Sequence, residues 1–242
     1  MIHRIKSIGE GICDILYPKT CPMCDVALGG YEAFLCEDCR IKLIPLGKPA
    51  CLKCGKEIED DEQGSCSDCQ SIKRSYEKGF PALNYSQEMA KVLSDFKYNN
   101  MRSHGRFLAD VIVKNRGKDI LSVMPEVIVP VPIHKSKLRS RGYNQAQILS
   151  TELGRRLGIP VDCDLVIRDA KTMPQKELGP IEREENLKRA FISSKKIVQY
   201  KSALIVDDIY TTGATVEACA TVLHSMGIKD VYYTSVCIGK GL

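Results

Sequence analysis

Two adjacent acids, Asp207 and Asp208, lie between an apolar run and a turn of small and hydroxyl-bearing residues. The string is Ala-Leu-Ile-Val-Asp-Asp-Ile-Tyr-Thr-Thr-Gly-Ala-Thr, residues 203–215. Carboxylates accept hydrogen bonds from hydroxyls, whereas backbone N–H groups opening a helix hold phosphate. A bare phosphate beside two carboxylates would be repelled, so the acids need a partner of their own. The neighbouring hydroxyls of a ribose meet that need, and a ribose 5-phosphate satisfies both halves of the string. Residues 203–206 lack polar alternation, as expected of a strand buried on both faces of a parallel sheet. The acids are then expected at the strand's carboxyl end, where open α/β sheets bind ligands. A helix is expected to begin near Ala214. Solvated acids before an ordinary capped helix are the bland alternative, but the whole string is more particular than that. No Gly-x-x-x-x-Gly-Lys and no Gly-x-Gly-x-x-Gly occurs, which excludes a P-loop and leaves a dinucleotide fold unsupported.

The string resembles the PRPP-binding motif of the type I phosphoribosyltransferases. That resemblance implies that Asp207 and Asp208 hold the ribose hydroxyls. It also implies that Thr211, Thr212, Gly213, Ala214 and Thr215 wrap the 5-phosphate. A second chemically capable group, Lys135, Lys137, Arg139 and Arg141, follows another apolar run at 127–131. We read 134–145 as a basic loop that faces the crevice of Asp207. Its cations, with Mg²⁺, would stabilise the charge growing on a departing pyrophosphate, which makes these four the candidate catalytic residues. A solvated loop that binds nothing specific is the alternative. His134 is assigned no role.

Eight cysteines form a repeat. Cys21, Cys24, Cys36 and Cys39 are followed 30 residues later by Cys51, Cys54, Cys66 and Cys69. Paired Cys-x₂-Cys turns each offer two thiolates, and two turns complete a tetrahedral Zn²⁺ site with no position left open for catalysis. Consecutive pairing gives two ribbons, and alternate pairing gives a cross-brace. The tandem duplication favours ribbons, each unit folding around its own structural ion. A disulfide scaffold is the competitor, but no export signal precedes the array, which suits a reducing cytosol. Gly55 follows Cys54, whereas Asp25 occupies the matching place after Cys24. We read Cys13, Cys163, Cys219 and Cys237 as small buried hydrophobes.

The elements that position these groups follow from periodicity. Residues 71–79 read as a linker, 80–86 as a strand, 87–98 and 107–113 as helices, and 127–131 as a strand. Beyond them, 146–157 reads as a helix, 165–167 and 203–206 as strands, 216–226 as a helix and 231–236 as the last strand. The alternation implies a mostly parallel sheet with right-handed crossovers. The 242 residues suit a small domain, 1–75, before a larger one, 76–242. The first carries a net charge of −2 and the second +7, consistent with a polyanionic ligand or nucleic acid on the larger domain. Isoleucines at helical spacing over 1–20 suggest a helix packed on the body, or one lying on a membrane surface. No apolar run approaches the length of a membrane span.

Several signatures occur in a fixed order: the double Cys-x₂-Cys units; Val-Pro-Val-Pro-Ile-His at 129–134; Arg-Gly-Tyr-Asn-Gln-Ala-Gln at 141–147; Thr-x-x-Gln-x-x-Leu-x₄-Arg-x-x-Asn-Leu at 172–187; and the 203–215 string. This order is similar to that of the ComF family, the ComFC type included, over nearly the whole chain. Tyr143 replaces the usual Phe. The resemblance implies an α/β fold: a type I phosphoribosyltransferase-like, mostly parallel sheet flanked by helices, after a small N-terminal double zinc-ribbon domain. It also implies a role in natural competence and DNA uptake in the cytoplasm, near a membrane-associated helicase of the ComFA type. The expected activity is transfer of ribose 5-phosphate from PRPP to an unidentified acceptor. The competing expectation is a non-catalytic adaptor that binds single-stranded DNA and uses the PRPP crevice as a sensor or backbone cleft. Stacking platforms for bases are scarce, with no Trp and five Phe, though ten Tyr remain.

Overall fold

The computed structural model describes residues 19–29, 34–60, 62, 64–168, 190–194 and 199–239. Nearly all of the expected 1–20 helix, Cys13 and the whole of the 172–187 signature lie outside them.

Each cysteine unit folds around its own four thiols. The Sγ atoms of Cys21, Cys24, Cys36 and Cys39 lie within 4.8 Å of one another, and so do those of Cys51, Cys54, Cys66 and Cys69. The pairing is therefore consecutive. Cys24 and Cys36 are 3.6 Å apart at sulfur, as are Cys54 and Cys66. A disulfide needs about 2.05 Å, whereas thiolates around a tetrahedral zinc with bonds of about 2.3 Å stand about 3.8 Å apart. The donor set thus fits zinc.

The repeat extends to the backbone. Bridges join Thr20 to Ala27 and, 30 residues on, Ala50 to Glu57. Cys36 and Cys66 enter the short helices α1 (Glu37–Arg40) and α2 (Ser67–Ser71) with nearly identical extended dihedrals. The N–H of Asp25 donates to Cys21 O and that of Gly55 to Cys51 O, both at 2.9 Å. Asp25 takes φ 63° and Gly55 φ 76°, so the missing glycine leaves the first turn unchanged. Aspartate is among the few residues that tolerate this region.

After the ribbons come β1 (Lys78–Asn84), α3 (Gln87–Tyr98), α4 (His104–Ser122), β2 (Val127–Pro130), α5 (Lys135–Arg141) and α6 (Gln145–Leu157). They are followed by β3 (Val166–Arg168), β4 (Phe191–Ser193), β5 (Ser202–Tyr210), α7 (Ala214–Ser225) and β6 (Asp230–Ile238). Four strands form a fully parallel sheet in the order β1-β6-β5-β2. Alternate residues of a strand point to opposite faces. Leu204 and Val206 pack in one core layer with Met89, Val92, Leu93 and Phe96 of α3 and Leu149 and Leu153 of α6. Ala203 and Ile205 pack in the other, with Val216, Cys219 and Leu223 of α7. Helix α3 buries positions at helical spacing, and its cap is Ser86, whose side chain accepts from the Met89 N–H. Such a cap contributes about 1 kcal/mol.

Both sheet edges are covered, which removes a template for unwanted pairing. Outside β2, Ile128 bonds to Pro160 and Asp162. Outside β1 lie the ribbons, with Gly79 N–H donating to Lys53 O at 2.8 Å and Asn84 N–H to Ile44 O at 2.9 Å.

Several expectations need correction. Strand β5 does not end at Val206 but runs on to Tyr210, because β6 continues beside it, pairing Asp207 with Ser235 and Tyr210 with Ile238. Strand β2 stops at Pro130, opposite Val206, so one edge of β5 opens beyond that point. The basic loop is largely a helix, α5, capped by the His134 side chain and ended by Gly142 in the left-handed region. Strand β3 does not join the parallel sheet; it pairs antiparallel with β4. Residues 71–79 are not a free linker, since Arg74 and Tyr76 are buried. Cys219 and Cys237 are buried as expected, but Cys163 is only half-buried.

Candidate functional site

Beyond the end of β2, the open edge of β5 forms one wall of a crevice of about 180 Å³. Its lining includes Asp207, Asp208, Thr215, Lys137 and Arg141, five of the residues singled out from the sequence. Lys135 and Arg139 do not line it. Both are exposed, and they alternate along α5 with Lys137, which is also exposed, and with the half-buried Arg141. Thr211, Thr212, Gly213 and Ala214 form the turn from β5 into α7. The eight cysteines lie apart, in the ribbons.

The two acids differ in environment, because successive residues of a strand face opposite ways. Asp208 is buried, and its Oδ2 receives Lys97 Nζ from α3 at 2.7 Å. Asp207 Oδ1 accepts the Asp208 N–H at 2.8 Å. Burial, with the adjacent Asp208 carboxylate, pushes the Asp207 carboxyl up to about 7. A group so poised accepts a hydrogen bond from a sugar hydroxyl or a proton at little cost.

Elsewhere in the lining, partial desolvation in the crevice and the nearby Arg168, Arg141 and Lys97 hold the ammonium of Lys137, a surface residue, below its usual range. Like charges gathered without enough acid to neutralise them attract a polyanion. Arg141 donates to Gln145 Oε1, and its guanidinium lies 5.1 Å from the Tyr98 ring centre. The Arg-Gly-Tyr-Asn-Gln stretch serves this placement. Gly142 ends α5, and Asn144 caps α6 by accepting from Ala146 N–H while its Nδ2 donates to Val131 O. Tyr143 donates its hydroxyl to Phe96 O, a bond that a phenylalanine at this position could not make.

The turn into α7 supplies the other chemistry. Gly213 sits at the N-cap with φ 77° and no side-chain cap, so the first N–H groups of α7 lack side-chain acceptors. A Cβ at Gly213 would collide with the Tyr210 hydroxyl, so only glycine fits there. An uncapped helix start after a glycine turn offers backbone N–H groups of the kind that can hold a phosphate.

Behind the turn stand three tyrosines. Tyr210 stacks on Tyr233 with ring centres 4.7 Å apart, and Tyr76 meets Tyr233 edge-on at 5.0 Å. The Tyr76 and Tyr210 hydroxyls are 2.8 Å apart, and Tyr233 donates to Cys54 O at 2.7 Å. Burial raises all three phenols above their ordinary range, so each keeps its proton.

Sequence reasoning missed Lys97, Tyr98 and Arg168 as crevice residues. Lys97 and Tyr98 close a helix legible only for its apolar face, and Arg168 ends a strand of three residues.

The model of the double zinc ribbon domain matches residues 12–70. Among solved structures, an adenine phosphoribosyltransferase from Leishmania tarentolae is 14% identical over 75% of this chain and 89% of that one. Its TM-score is 0.35, a likeness too loose to carry weight. The chain is 26% identical to the DNA utilization protein YhgH of Escherichia coli K12, covering 91% of this chain and 97% of that protein. It is 31% identical to competence protein F of Haemophilus influenzae over 202 residues, which are 81% of this chain and 87% of that protein. With two cysteine ribbons ahead of a parallel sheet and this extent of shared sequence, the chain belongs to the competence protein F family.

Proposed function

We propose that the protein binds PRPP with Mg²⁺ in the Asp207–Asp208 crevice and transfers its ribose 5-phosphate to an acceptor during the handling of incoming DNA. The observation that carries this reading is the junction of β5 and α7. There two carboxylates, a cationic wall and an uncapped helix start converge on one opening. The names of the related proteins, competence protein F and DNA utilization protein, support the biological setting.

In this reading Asp207 and Asp208 accept hydrogen bonds from the ribose hydroxyls, and residues 211–215 hold the 5-phosphate. The bond between C1 of the ribose and the pyrophosphate oxygen breaks, and its electron pair leaves with pyrophosphate. The acceptor's lone pair then forms the new bond at C1. Lys137 and Arg141 stabilise the departing charge from the crevice, while Lys135 and Arg139 add to the field from outside it. Mg²⁺, when bound with PRPP, neutralises part of the pyrophosphate charge. The ribbons are structural, each with four thiols for one Zn²⁺. The protein works in the cytoplasm, beside a competence helicase of the ComFA type. Among the described residues no helix is long and apolar enough to cross a membrane.

The exposure of Lys135 and Arg139 outside the crevice favours a second reading, in which α5 tracks the phosphates of single-stranded DNA. Pyrophosphate release measured against a panel of bases and nucleotides separates the two. The first reading expects release with one acceptor class and none from Asp208→Ala. Absence of release with every acceptor, together with salt-sensitive DNA binding that requires Lys135 and Arg139, would favour the second. PRPP affinity should also rise with pH up to about 7, as Asp207 loses its proton and can accept from a hydroxyl. Affinity unchanged between pH 5.5 and 7.5 would remove Asp207 from the ribose.

A further inference from the structure

A buried cation without a carboxylate stands against the phosphate turn. Arg74, in the segment joining α2 to β1, is 6% exposed. Its Nη2 donates to Thr212 O, and its Nε is buried with no acceptor. Among the described residues it makes no ion pair. Glu217, the acid in the first turn of α7, accepts from the Ser75 N–H at 2.9 Å and makes no ion pair with Arg74. A guanidinium withdrawn from water without a counter-charge is strongly unfavourable.

The segment holding Arg74 is fixed on both sides. Besides the bond to Glu217, Ser75 O lies 3.2 Å from His224 Nε2 in the last turn of α7. Tyr76 reaches the Tyr210 hydroxyl at 2.8 Å. Arg74 is therefore held in register with the turn that opens α7. Two independent features point to one anion there: an uncapped helix start and a buried, unneutralised arginine bonded to the turn's own backbone.

We propose that Arg74 is an anion-binding residue of the 211–215 turn, its charge neutralised by the phosphate monoester that the turn binds. The segment following the second ribbon thus contributes directly to the site. The inference rests on reading 211–215 as a phosphate turn, and it adds a residue from outside that motif.

The test uses the full zinc-loaded chain and titrates inorganic phosphate, ribose 5-phosphate and PRPP with Mg²⁺ by calorimetry, beside thermal unfolding without ligand. Arg74→Gln keeps a donor for Thr212 O but removes the charge. It should lose about ten- to a hundredfold in affinity for the phosphate ligands, the scale of one charged hydrogen bond. Its unfolding temperature without ligand should equal or exceed that of the wild type, because an unneutralised charge has gone. Arg74→Lys should retain most of the affinity. Wild-type affinity in Arg74→Gln would overturn the inference and leave the PRPP reading standing. So would equal losses in Lys and Gln variants that both unfold early, since they would mark a purely structural arginine. Wild type that binds phosphate and ribose 5-phosphate through Arg74, but not PRPP, would uphold the inference and sink the PRPP reading. Wild type that binds none of the three would overturn both.

Discussion

The two ribbons repeat each other in sequence and backbone, yet they are joined to the molecule differently. The first adds Cys21, Met23, Leu35 and Cys39 to the core layer of α3, α4 and α6, and leaves Cys24 exposed. The second adds Cys51, Cys54 and Cys66 to the layer of α7, the helix that opens after the Gly213 turn. It also meets the sheet at close range. A Cβ on Gly55 would stand 2.7 Å from Pro81 Cδ and 2.9 Å from Gly79 O. In the first ribbon Asp25 occupies the same turn, and its carboxylate makes a largely exposed ion pair with Lys91 at 3.2 Å. The turn alone tolerates aspartate; the docking against β1 requires glycine. Duplication supplied two zinc units, and packing turned one of them into a support for the site.

Changes at matched positions test this contrast. The largest difference should come from the thiols. Cys54→Ser should remove one zinc and with it cooperative folding, since structural zinc contributes about 10–16 kcal/mol in isolated zinc units. Cys24→Ser should lose one zinc yet retain phosphate binding. Metal analysis with thermal unfolding checks both, and equal damage from the two would erase the contrast. Next come the turns. Gly55→Ala should destabilise by about 2–4 kcal/mol, through strain at φ 76° and overlap with Pro81. Asp25→Gly should stay within about 1 kcal/mol, because it relieves strain and loses only an exposed pair. Denaturant midpoints measure this, and comparable losses would show that Gly55 is needed for the turn itself.

How much was legible follows the same division. The 30-residue period announced both ribbons, and the 87–98 helix was read to its ends because its apolar spacing is local, although its cap, Ser86, was read as the end of the preceding strand. Where the outcome depended on distant partners, the reading failed. Strand β5 runs past its apolar run because β6 continues beside it, and the crevice opens because β2 stops at Pro130. Helix α5 has no buried residue, so no periodicity could mark it. Arg74, Ser75 and Tyr76 looked like linker because their partners, Thr212, Glu217 and Tyr210, lie far along the chain. The acids and the turn were visible as a motif. Lys97 and Arg168, which complete the charge around them, became visible only when the sheet brought their elements together.

A smaller effect sharpens the contrast further. Tyr233→Phe removes the 2.7 Å bond to Cys54 O and should cost about 1–2 kcal/mol, with weaker phosphate binding. Lys91→Ala, which cuts the exposed tie to the first ribbon, should change stability by less than about 1 kcal/mol and leave binding alone. A larger loss from Lys91→Ala than from Tyr233→Phe, read from unfolding curves, would reverse the roles given to the two ribbons.

The central claim is that the β5–α7 junction is a PRPP site. Calorimetric titration of the zinc-loaded chain with PRPP and Mg²⁺, beside the Asp207→Ala/Asp208→Ala double variant, tests it most directly. Saturable binding at one site per chain, abolished in a variant that keeps its two zincs and its fold, is the predicted result. No heat of binding in the wild type, or equal binding by the variant, would contradict it.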